Sequence, residues 1–170
     1  DAKLQTMLKV LEKYIYEGKL HTKFEADPKG AALTVSDLRA QLVREACKTI
    51  TSLVMALKDR SGSLLQVVLP QLFKNLVKSK KVYVDFAHGC IKSILKHCHF
   101  SLLSNILVEH SRDKHQLLRE KCTEYILLGI SKHEADDLAA TCSIPNIFDA
   151  IKDRIADSHA PARDFAVNAF

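Results

Sequence analysis

The chemistry most evident in this sequence belongs to its basic side chains, and what they offer is ion pairing. Lys78, Lys80 and Lys81 form one cluster and Arg112, Lys114 and His115 a second, while Arg39 and His159 stand apart from both. Each lies near a break in the apolar pattern, where side chains are solvated, and a row of exposed cations selects an acidic partner through complementary potential. His97, Cys98 and His99, with Cys90 a helical distance upstream, are metal-ligating types. Sequence neighbours on a helix point apart, however, and a closed zinc site needs four convergent ligands, so no metal and no cofactor is expected. The sequence has no phosphate-cradling Gly-rich loop, no His-Glu-x-x-His pair and no Gly-x-Ser-x-Gly elbow, and it singles out no Cys/His pair as nucleophile and base. The expectation is a protein that binds and does not catalyse.

The elements that must position these cations are helical. With 170 residues, 47% of them hydrophobic, the chain can bury a substantial core. Five Gly and four Pro are too few for the frequent turns of a sandwich or barrel. The formal charge of +5 is a mild basic excess that favours acidic partners without naming one. No window approaches the roughly 18 apolar residues of a membrane span, which makes a soluble protein the expectation. Five scattered cysteines fit buried thiols of a reducing compartment better than a disulfide framework, so the cytoplasm is the expected location. A start at Asp1 and an end at Phe170 within an apolar pattern suggest a single domain, 1–170, drawn from a longer protein.

Helical spacing of Leu4, Met7, Leu8, Leu11 and Ile15 predicts a first helix that stops at Gly18. Residues 18–36 read as a looser segment with a turn at Asp27-Pro28-Lys29-Gly30, after which Ser36 caps a long helix over 37–58. Further helices are predicted over 64–76, with a bend at Pro70, then 83–98, 100–110, 115–131, 134–141, 145–156 and 161–170, with Pro145 and Pro161 in first turns.

The chain is also self-similar. Leu42-Val43-Arg44-Glu45-Ala46-Cys47 echoes Leu117-Leu118-Arg119-Glu120-Lys121-Cys122, and Ala162-Arg163-Asp164-Phe165-Ala166 is a looser copy. With Cys47, Cys90, Cys122 and Ala166 as equivalents the separations are 43, 32 and 44 residues. Two of these match the roughly 40 to 47 residues of a HEAT or armadillo repeat. The fold class expected is all-α, a HEAT-repeat α-solenoid of helix A–helix B pairs, with 37–58, 83–98, 115–131 and 161–170 as successive helices B.

The string from Asp37 to Cys47 resembles the TOG domains of the CLASP family, the cytoplasmic linker-associated microtubule regulators. The likeness continues through Leu69-Pro70-Gln71-Leu72-Phe73, Ile94-Leu95-Lys96-His97-Cys98-His99 and Leu118-Arg119-Glu120-Lys121-Cys122. It implies a paddle of HEAT repeats whose intra-repeat loops line one edge and contact αβ-tubulin or the microtubule lattice, as a monomeric cytoskeletal domain. TOG domains commonly present a Trp on the first of these loops, and this chain contains none. Lys81 and Lys114 fall where the family pattern also has lysine, and Arg39 within its Asp-Leu-Arg string.

Because a solenoid gathers its intra-repeat loops on one edge, Arg39, Lys80, Lys81, Arg112, Lys114 and His159 are the expected tubulin-binding residues. Arg44, Arg119 and Arg163 lie deeper in helices B, six or seven residues after Asp37, Asp113 and Asp157, and are expected to be buried bridges between repeats. Two other functions fit a basic solenoid: a HEAT scaffold for a different protein, and a nucleic-acid binder, which the scarcity of loop aromatics beyond Tyr83 makes the weaker reading.

Overall fold

A computed structural model of the protein describes the backbone of residues 28–169 and the side chains of residues 40–169. The helix expected near residues 4–15 and its stop at Gly18 lie outside the described residues. Eight α-helices follow within them: α1 Pro28–Leu57, α2 Gly62–Leu76, α3 Lys81–His97, α4 Ser101–His110, α5 Gln116–Ile130, α6 Ala135–Thr141, α7 Ile144–Ile155 and α8 Ala160–Val167. A 3-10 turn, Lys58–Ser61, joins α1 to α2. No strand occurs among the described residues.

These helices form because each carries an apolar stripe that only a neighbour can cover. On α1 the buried residues are Val43, Ala46, Cys47, Ile50 and Val54, on α3 they are Ala87, Cys90, Ile91, Ile94 and Leu95, and on α5 Leu118, Cys122, Tyr125 and Ile126. The spacing of three and four residues puts each set on one face. Those faces stack α1 on α3, α3 on α5 and α5 on α8 in one row, while α2, α4 and α7 form a second row against it. The second row is the more apolar: Leu64, Leu65, Val68, Leu69, Leu72, Phe73 and Leu76 of α2 are all buried. Pro70 sits inside a continuous α2, and Pro145 and Pro161 lie in the first turns of α7 and α8.

The result is a helical-repeat solenoid with α1, α3, α5 and α8 as helices B. The short separation between Cys90 and Cys122 reflects a shortened helix pair, with ten residues in α4 against fifteen in α2. The longer one before Ala166 accommodates α6 as an extra helix. One boundary differs from the sequence reading: α1 begins at Pro28, so the Pro28-Lys29-Gly30 stretch is helical and Ser36 lies inside the helix. A proline is as well suited to a first helical turn as to a β-turn, and thirty residues of continuous helix carried the chain past the weak local signal.

Between rows, Gly129 of α5 packs directly on the Phe100 ring, and a Cβ there would lie well inside van der Waals contact with Cδ2 and Cε2. Phe100 is fully buried and has nowhere to retreat. Gly129→Ala should therefore destabilise the protein by about 1–3 kcal/mol, despite the better helix propensity of alanine, as read from denaturant midpoints.

Candidate functional site

The loops that lead into α3, α5 and α8 span 77–80, 111–115 and 156–159, and the stacking of the rows places them along one edge. Packed rings of Phe73 and His110, with centroids 4.7 Å apart, tie the ends of α2 and α4 together just before the first two loops. The second and third loops are joined more tightly. Arg119 of α5 grips both Asp157 carboxylate oxygens, Nε to Oδ2 at 2.8 Å and Nη2 to Oδ1 at 2.9 Å. Its Nη1 donates to the carbonyls of Asp113 and Lys114 in the loop before its own helix. Arg154 adds a third bond to Asp157, at 2.6 Å.

The Asp157 side chain is only 2% exposed, so this clasp is largely dry. The Arg119 guanidinium, followed by the His159 backbone N–H, holds the Asp157 carboxyl far below the usual carboxylate range. Arg163 repeats half of the device in the last repeat, donating to the carbonyls of Asp157 and Ser158. Asp113 and Asp157 each accept from the backbone N–H two residues on, His115 and His159, at 2.8 Å. Both loops are thus small hydrogen-bonded turns fixed by an arginine from the following helix.

On this frame the expected site residues divide. Lys81 and Lys114 are exposed along the edge, and Lys80 is exposed beside them at the N-cap of α3. Lys78 covers the Tyr83 ring with its ammonium 4.9 Å from the centroid, and burial pulls its pKa down. Arg112 is exposed, but its Nε pairs with Asp153 of α7 at 2.9 Å, which links two repeats. His159 turns inward, its Nε2 2.9 Å from Glu120 Oε2 with 22% of the side chain exposed. Both expected site residues thus carry an ion-pair partner from a neighbouring repeat. Arg39 falls within α1 rather than at a helix start, and its side chain lies outside the described residues. Arg44, expected to be a buried bridge, is half-exposed and pairs with its neighbour Glu45 at 3.3 Å. Arg119 does bridge two repeats, whereas Arg163 bonds the loop before its own helix.

Sequence reasoning missed the helix-end electrostatics. The first turns of α3, α5 and α8 contain no acidic residue. At α5 and α8 the Asp113 and Asp157 carboxylates sit beside the N-cap instead, whereas the N-cap and first residue of α3 are lysines, electrostatically unfavourable at a positive dipole end. The signal lay in the sequence as the lack of Asp or Glu just after the three loops. Sequence reasoning also overlooked His133 and Asp137, which meet His99 on the opposite edge, because the contact spans one repeat and only stacking brings them together.

A double row of helices offering one edge of arginine-locked loops defines a helical-repeat binding protein. The family described as CLASP N terminal matches residues 16–170, and the chain belongs to that family. It is 28% identical over 131 residues to CLIP-associating protein 1-B of Xenopus laevis, covering 77% of this chain and 9% of that protein. To the CLIP-associated protein of Arabidopsis thaliana it is 28% identical over 130 residues, covering 76% and 9%. The chain thus spans about a tenth of the length of these curated relatives. Among solved structures, the MAST/Orbit N-terminal domain is similar in fold, with a TM-score of 0.58 at 14% identity over 96% of this chain and 73% of that one.

Removing the guanidinium in Arg119→Ala leaves Asp157 with Arg154 and the His159 N–H, and takes their donor from two loop carbonyls, so the protein should lose about 1–3 kcal/mol of stability. The lowered Asp157 pKa adds a pH signature. Its stabilisation is present above the unfolded value of about 3.9 and is lost as pH falls through the lower folded value. Chemical denaturation between neutral pH and the acid limit should show a steeper acid loss in the parent than in Arg119→Ala.

Proposed function

We propose that the protein binds αβ-tubulin, as free dimer or in the microtubule lattice, through the edge of intra-repeat loops, and that it influences microtubule dynamics by this binding without catalysis. The observation that carries the reading is the exposure of Lys80, Lys81 and Lys114 on one edge, at or just before the positive ends of two B helices. Cations at that end oppose the helix dipole, and an anionic partner relieves that opposition. An acidic protein surface supplies the complement. Membership of the CLASP N-terminal family supports tubulin as that surface and the cytoplasmic cytoskeleton as the location. No described helix is long and apolar enough to cross a membrane.

A nucleic acid is the weaker partner for this edge. Tyr83, the aromatic expected to stack on bases, is half-buried beneath Lys78. Base stacking needs an accessible ring.

Reversing Lys80, Lys81 and Lys114 to Glu should lower tubulin affinity by about tenfold or more while folding stability stays within about 0.5 kcal/mol of the parent. Because glutamate suits a helix N-terminus, any stability change should be a gain. Affinity of the parent should fall as salt rises, since exposed pairs are screened over a Debye length of about 10 Å at 0.1 M. Co-sedimentation with microtubules, gel filtration with free tubulin and a duplex DNA titration read these outcomes. Undiminished tubulin binding by the folded triple variant would remove the lysines from the site, and tighter binding to DNA than to tubulin would replace the partner.

A further inference from the structure

On the edge opposite the lysines, three metal-ligating side chains from two successive turns converge. His99 lies in the α3–α4 turn, His133 in the turn after α5, and Asp137 in the first turn of α6. His99 Nε2 is 2.8 Å from Asp137 Oδ2, and His133 Nδ1 is 3.2 Å from the same oxygen. The two imidazoles are inclined to each other with centroids 4.6 Å apart. One donor atom from each residue lies within 4.8 Å of the other two. We propose that His99, His133 and Asp137 form a binding site for a divalent transition metal of the zinc class, which would fasten the last two inter-repeat turns to each other.

The donor set suits this class. Two imidazoles and one carboxylate are ligands of intermediate softness that favour zinc over magnesium or calcium, and three protein ligands leave a fourth tetrahedral position for water. That position is accessible, because the Asp137 side chain is 45% exposed. A tetrahedral ion about 2.0–2.1 Å from each donor requires the donors to sit about 3.4 Å apart, and the separations of the two imidazole nitrogens from the carboxylate oxygen, 2.8 and 3.2 Å, are close to it.

The outer partners are also in place. Ser101 Oγ lies 2.9 Å from His99 Nδ1, which also accepts from the Ser101 backbone N–H at 3.3 Å, and the hydroxyl can accept an Nδ1–H hydrogen bond once Nε2 gives its lone pair to a metal. The His99 backbone N–H donates to Asp59 Oδ1 at 2.9 Å, which ties the turn to the one before it. Lys132, the nearest cation in sequence, points its ammonium at the Leu95 and Lys96 carbonyls, so it does not neutralise Asp137. The carboxylate is left to the two imidazoles, at 2.8 Å from His99 Nε2 and 3.2 Å from His133 Nδ1.

Titration of the reduced protein with Co2+ at neutral pH, followed by displacement with Zn2+, tests the site. The expected result is a saturable visible ligand-field band at one equivalent, erased by Zn2+, together with a higher melting temperature in excess Zn2+. Loss of an outer-shell partner typically costs about 10- to 100-fold in metal affinity, so loss of a ligand should cost about tenfold or more. His99→Gln would also disturb the hydrogen bonds of its turn. His133→Gln and Asp137→Asn therefore carry the test, with far-ultraviolet circular dichroism to verify the fold, and each should weaken Co2+ binding by that factor. Absence of a saturable band would overturn the site and leave a hydrogen-bonded triad. A band unchanged in both folded variants would overturn it equally, as would a thiolate charge-transfer band that disappears in Cys142→Ser.

Discussion

Two charged side chains, Arg119 and Asp157, set the spacing of the loop edge. A carboxylate as dry as Asp157 must be paired, because an isolated buried charge costs several kcal/mol. Both its oxygens are taken by one planar guanidinium, so direction as well as distance is fixed. The same guanidinium holds two carbonyls of the preceding loop, and one of them belongs to Lys114. With its carbonyl bound inward, Lys114 sits on a fixed backbone and its exposed side chain has a defined place on the edge. The exposed edge thus inherits its geometry from a largely buried pair.

The clasp also explains where the repeat pattern of the sequence misleads. Arg44 and Arg119 occupy the same place in near-identical strings, three residues before Cys47 and Cys122. Asp157 stands nine residues before Ala166, and the residue nine before Cys90 is Lys81. That register holds no carboxylate for Arg44, which pairs with Glu45 near the surface instead. In the intervening repeat Ala87 takes the arginine position, so Asp113 has no guanidinium from the preceding B helix and serves its own turn through His115 N–H. A string of six residues specifies the helix, whereas the bridge needs a second string one repeat later.

The fold was legible because its signal is periodic and redundant. The stripes of α3 and α5 each repeat over several turns, and Cys47, Cys90, Cys122 and Ala166 do occupy equivalent buried places in the B row. Cys90 even directs its thiol toward the Cys47 carbonyl, at 3.6 Å. The edge was legible only as a set of loops. Arg112 and His159 have the composition of ridge residues, yet Asp153 and Glu120 lie about one repeat distant and draw them into inter-repeat pairs. Local sequence carries no mark of such partners, and the same holds for His99 and Asp137.

Helix polarity separates the two edges. Where α3 ends, Lys132 donates to the Leu95 and Lys96 carbonyls, a cation at a negative dipole end. Around the first turn of that same edge, Ser61 donates to the Lys58 carbonyl at 2.6 Å and the Cys98 thiol approaches it at 3.6 Å, so a backbone held at a left-handed φ of 48° is well bonded. That edge satisfies itself. Where α3 begins, Lys80 and Lys81 stand at a positive end with no acid in the first turn. Folding alone would favour a carboxylate there, as it favours one at Asp157, and the two sites lie on the same edge within the same fold. The difference between them is what each serves: Asp157 holds the fold through Arg119 and Arg154, whereas the exposed lysines give the edge its positive charge.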